Sequence, residues 1–83
     1  MTAVEIRSTI LEVIQEILPD EDVNSLKADV RIRDQIEMDS MDFLDMIMEL
    51  RKRYSIIVPE DDYMKLFTLD SAVAYLEPLM KDI

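Results

Sequence analysis

The 83 residues contain no Cys, no His and no Gly, and each absence closes off a kind of chemistry. Without His or Cys there is no Ser-His or Cys-His nucleophile pair, and the usual zinc ligands are missing. Without Gly there is no phosphate-cradling loop of the Walker or dinucleotide type. An EF-hand loop also needs a Gly at its sharp turn and a bidentate Glu at its end, so the clusters Asp20-Glu21-Asp22 and Asp39/Asp42/Asp45 are not read as a calcium site. No metal is expected. No disulfide can form, no apolar run approaches the roughly 20 residues of a membrane span, and no signal-peptide pattern opens the chain. A cytoplasmic protein without membrane insertion is expected.

Positive charge is scarce as well. Nine Lys and Arg stand against nineteen Asp and Glu, a net charge of −10 in a chain that is still 49 % hydrophobic. Enough apolar surface remains to build a core, so a folded acidic protein is expected rather than a disordered one. Phosphate backbones and anionic membranes would be repelled by that field, which argues against nucleic acid. Proteins with basic surfaces are the natural partners, because the field speeds their encounter and weakens with salt. The same repulsion favours a monomer. The length suits one domain, residues 1–83, burying about 60–65 % of the surface its unfolded chain exposes.

Four helical segments can be read. Thr2 followed by Glu5 is a capping box, and Val4, Ile6, Ile10, Val13, Ile14 and Ile17 recur at helical steps until Pro19 stops the pattern. Residues 19–38 form a long ordered loop pinned by Val23, Leu26, Val30, Ile32 and Ile36. Asp39 caps a second helix that runs to about Tyr54, with Asp42 adding negative charge to its first turn. Pro59 and the acids behind it open a short third helix over 60–66, and Thr68 precedes a fourth that ends or bends at Pro78. The β-prone run Ser55-Ile56-Ile57-Val58 has no second alternating run to pair with. The expected fold is all-α, a small four-helix bundle of three longer helices and one short, with a long loop between helices one and two. The expected core includes Ile6, Ile10, Ile14, Leu44, Ile47, Leu50, Tyr54 and Val73.

Helix two is more apolar than a core helix requires. On a helical wheel Leu50, Phe43, Tyr54, Ile47 and Leu44 form a continuous arc, with Met48 and Met41 at one flank and Met46 at the other. A surface helix needs a stripe a little over 100° wide, and this arc covers about twice that. Met41 and Met48 border a strip of Asp42, Asp45 and Glu49, a pairing suited to docking a partner with an apolar pocket and a basic rim. Met46, with Met64 on helix three, is the candidate lining for an expandable interior that shelters an apolar cargo.

The run Asp39-Ser40-Met41-Asp42 resembles the modification motif of acyl carrier proteins. The likeness extends back through Ile32-Arg33-Asp34-Gln35-Ile36 and forward through Phe43 to Leu50, Ile57 to Asp62 and Thr68 to Leu76. It implies a non-enzymatic carrier in which Ser40 receives 4′-phosphopantetheine from coenzyme A through a phosphopantetheinyl transferase. Acyl groups would then be held as thioesters on that arm and passed among acyl-loading and acyl-processing enzymes with basic docking surfaces. The family's recognition surface maps onto Asp39, Met41, Asp42, Asp45, Met48 and Glu49, the strip found on the wheel. A phosphodiester at Ser40 would sit in the first turn of helix two, where free amides and the helix dipole favour negative charge.

Three departures set this chain apart from a housekeeping member. Glu37 stands where the family usually has Gly, so the loop must avoid a glycine-only conformation. Met41 replaces the usual Leu, a volume-conserving change. Arg51-Lys52-Arg53 gives a basic end to a helix that is typically acidic in this family. These point to a specialised lipid or secondary-metabolite pathway. Two other functions fit the same residues: an unmodified acidic interaction module, and a carrier of aminoacyl or peptidyl groups.

Overall fold

A computed structural model describes all 83 residues. Three α-helices, α1 (Ala3–Ile17), α2 (Ser40–Tyr54) and α3 (Leu69–Leu76), pack with a 3₁₀ helix over Glu60–Leu66. Two further 3₁₀ turns, Val23–Ser25 and Ile32–Asp34, lie in the long loop between α1 and α2. The four-helix expectation is met, with the short third helix wound as 3₁₀ and α3 as the fourth. No helix is long and apolar enough to cross a membrane.

The helix starts follow from their caps. Thr2 Oγ1 accepts the Glu5 amide at 3.2 Å while Glu5 Oε1 accepts the Thr2 amide at 2.9 Å. Those hydrogen bonds hold the Glu5 carboxyl below its ordinary value of 4.5. Asp39 and Asp42 make the same reciprocal pair at the start of α2, at 2.9 and 3.2 Å, and Thr68 with Ser71 does so at α3. Each pair satisfies amides that the helix leaves without partners.

The core is continuous. Ile6, Ile10, Val13 and Ile14 of α1 meet Phe43, Met46, Ile47 and Leu50 of α2, with Leu69, Ala72 and Leu76 of α3 closing the third side. Phe43 packs edge-on against Tyr63 at 5.8 Å and Phe67 at 5.7 Å, fastening α2 to the 3₁₀ helix and its end. Tyr75 of α3 donates to Asp62 at 2.8 Å, and burial, aided by that bond, pushes its hydroxyl pKa up.

The loop is ordered by polar bonds as much as by apolar anchors. The Gln35 amide donates to the carbonyls of Lys27 at 3.0 Å and Val30 at 2.9 Å, and its oxygen accepts the Lys27 amide at 2.7 Å. The Ile32 amide donates to Phe67 O, and the Asp70 amide to Ala28 O, which ties the loop to the segment entering α3. Val23, Leu26 and Ile32 are buried as expected, Val30 and Ile36 are half-buried, and Met38 is an additional anchor. In the extended run 56–58, Ile56 and Val58 point inward and Ile57 outward, without a strand partner. After Pro78 the chain turns back and buries Met80 completely.

Three core expectations need correction. Leu44 is 39 % exposed, while Tyr54 and Val73 are only half-buried. The buried stripe of α2 is centred between Phe43 and Leu50, rotated towards Met46, because α1 and the aromatic pair Tyr63 and Phe67 approach from that side. The one left-handed residue is Ser55, at φ 59°, the C-cap of α2. Glu37 keeps a negative φ, so the loop does without glycine.

Candidate functional site

The amino end of α2 is where the loop, the cap and an exposed hydroxyl meet. Asp39 is extended and Ser40 is the first helical residue, so its side chain projects outside the bundle, exposed to solvent. Asp39 takes the Asp42 amide and its backbone carbonyl takes the Phe43 amide. The amides of Ser40 and Met41 are left without a protein acceptor. Two unpaired N–H groups and the positive end of the helix dipole therefore lie beside the Ser40 hydroxyl.

One cation reaches this point. Arg33, in the second 3₁₀ turn, donates from Nε to Met38 O at 3.1 Å and from Nη2 to Ser40 Oγ at 3.4 Å. A cleft of about 310 Å³ lined by Arg31, Arg33, Asp34, Met38 and Phe67 opens beside it. An exposed hydroxyl, free amides and a guanidinium suit a covalently attached anionic group. The acids of that turn, Asp39 and Asp42, are engaged in capping the helix.

Of the side chains expected to face partners, Asp39, Met41, Asp45 and Met48 are exposed on the outer side of α2, Met41 at 68 % and Met48 at 56 %. Leu44 joins the two methionines, one turn from each, and makes the apolar strip continuous. Reasoning from the wheel placed Leu44 in the core, although its spacing from Met41 and Met48 was the available signal. Asp42 and Glu49 are less free than the strip expectation had them. Asp42 is half-buried in its cap, and Glu49 accepts from Arg53 Nε at 2.9 Å.

Arg53 also reaches Glu12 at 3.4 Å and Glu16, both on α1. Its pKa is raised, first by the Glu49 hydrogen bond and then by the charge of Glu16 and of Glu49, against burial. Of the basic triplet only Arg51 and Lys52 remain exposed and without an ion pair.

The two methionines expected to line a cargo space are not brought together. Met46 is 2 % exposed and fills the core, whereas Met64 is 70 % exposed on the 3₁₀ helix. Neither lines a principal cleft.

A family model described as "Phosphopantetheine attachment site" matches residues 8–76. The chain is similar to an acyl carrier protein of Rubrobacter xylanophilus, 33 % identical over 73 residues that cover 84 % of this chain and 90 % of the relative. It is 31 % identical over 77 residues to one from Exiguobacterium, covering 93 % and 96 % of the two chains. To one from Campylobacter lari it is 30 % identical over 69 residues, covering 83 % and 87 %.

Proposed function

We propose a specific attachment point and a partner face from one established premise: the chain belongs to the acyl carrier protein family, whose domain carries covalently attached 4′-phosphopantetheine. Such a protein is a carrier and not a catalyst. The attachment point in our reading is Ser40. The observation that supports it is the exposed hydroxyl at the first residue of α2, flanked by unpaired amides and the Arg33 guanidinium. When bound, the arm supplies the thiol on which an acyl group is held as a thioester. Ser40 provides the oxygen that anchors it, and Asp39 and Asp42 hold that oxygen outside the bundle by fixing where the helix starts.

Partner enzymes read the strip beside Ser40. Met41, Leu44 and Met48 enter an apolar pocket, while Asp39, Asp42 and Asp45 face a basic rim. Arg51 and Lys52 extend from the far end of the same helix and repel a rim that is basic throughout, which restricts the carrier to enzymes of a specialised pathway. Met46 is the interior side chain that must move aside if a long cargo enters the bundle; Met64 stays outside it.

Incubation with coenzyme A and a phosphopantetheinyl transferase, followed by intact mass measurement, tests the attachment point. A phosphopantetheine-sized gain that disappears in Ser40→Ala is expected. A gain that survives in Ser40→Ala refutes the reading.

A further inference from the structure

We infer that Arg33 is the positioning residue for the phosphodiester of the arm, holding its non-bridging oxygens against the amino end of α2. The inference rests on Ser40 as the attachment point. Arg33 Nη2 lies 3.4 Å from Ser40 Oγ, and the phosphorus of the arm is one bond beyond that oxygen. The non-bridging oxygens therefore fall within reach of a guanidinium already in place. Its orientation is set beforehand, because Nε is spent on Met38 O at 3.1 Å and the Nη groups are left to face the serine.

Charge gives this contact its purpose. The modification adds an anion to a chain of net charge −10, at a point where Glu37, Asp39 and Asp42 line one cleft with Arg33. Those carboxylates disfavour the new charge, and Arg33 is the cation in that cleft that can offset them. Arg31 is committed to Asp34, Lys65 to Asp62 and Arg53 to three glutamates, and the remaining unpaired cationic side chains, Arg7, Lys27, Arg51, Lys52 and Lys81, do not line this cleft. Arg33 makes no ion pair within the chain despite its acidic neighbours. A guanidinium fork suits two phosphate oxygens at once, which a lysine ammonium cannot match in geometry. Because Arg33 belongs to the loop, the contact also links the prosthetic group to the 3₁₀ turn over Ile32–Asp34.

The test compares apo and holo forms of wild type, Arg33→Ala and Arg33→Lys, with the state of each verified by mass and by loss of the gain in Ser40→Ala. Each variant is referred to its own apo form, so a purely structural effect of the substitution cancels. Modification is expected to change Tm less favourably in Arg33→Ala than in wild type, by about 3 °C at low salt, with Arg33→Lys between them. The gap should close in 1 M NaCl, where the Debye length is about 3 Å. In wild type the Arg33 Nε–H signal should shift and exchange more slowly on conversion to holo, a measurement that needs no variant. Equal apo-to-holo changes in all three proteins, or an Arg33 signal that ignores conversion, overturn the inference while leaving Ser40 as the attachment point. No mass gain in wild type, or one retained in Ser40→Ala, overturns both.

Discussion

At its amino end α2 keeps an exposed hydroxyl met only by Arg33, two unpaired amides and an apolar strip open to solvent; at its carboxyl end Arg53 is bound to Glu12, Glu16 and Glu49 and locks the helix to α1. The helix is the same regular structure throughout, and the contrast comes from what packs beside each end. α1 lays its acids Glu12 and Glu16 against the carboxyl end, whereas the amino end is met on its outer side by the loop through Arg33 and on its inner side by Tyr63 and Phe67. One end is thereby a fastening and the other is left open, at the point where we propose attachment. Local charge does not distinguish them: Arg51, Lys52 and Arg53 are neighbours in sequence, yet only the last is structural.

The largest effect should separate the two faces of the amino half. Phe43→Ala removes the ring that contacts Tyr63 and Phe67 and should cost about 3–5 kcal/mol in denaturant unfolding. Leu44→Ala, one residue on, should stay within about 0.5 kcal/mol and instead weaken docking of an acyl-processing enzyme. Equal losses from the two would dissolve the distinction between core and strip. At the other end, Ser55→Gly relieves a left-handed conformation that a side chain disfavours, and should add about 1 kcal/mol, or roughly 4–8 °C in Tm. A smaller change follows from Arg53→Ala, expected to lower Tm by roughly 2–4 °C. The drop should narrow in high salt because the lost interactions are ion pairs. Arg51→Ala and Lys52→Ala should leave stability within about 0.5 kcal/mol. If all three substitutions cost the same, the clamp read from Arg53 is wrong.

Much of this was legible beforehand because it depends on near neighbours. Thr2 with Glu5 and Asp39 with Asp42 mark helix starts through hydrogen bonds spanning three residues. Pro19 and Pro78 mark where helical ladders cannot continue. Such signals place Ser40 at a helix's first turn without knowledge of any other element. The loop was harder to read, because Gln35 holds it through carbonyls five and eight residues away, with no periodicity to announce them.

The sequence by itself determined the all-α class, the ends of the helices, the acidic character and the position of Ser40, since each follows from short-range bonding or from composition. Only the tertiary structure decided which third of α2 is buried, turning Leu44 outward and Met46 inward, because an apolar arc wider than one packing stripe does not say which neighbour will cover it. It also decided that Arg53 belongs to α1 and Arg33 to Ser40. Those pairings join residues on different elements, and their distance is set by how the elements pack rather than by any spacing along the chain.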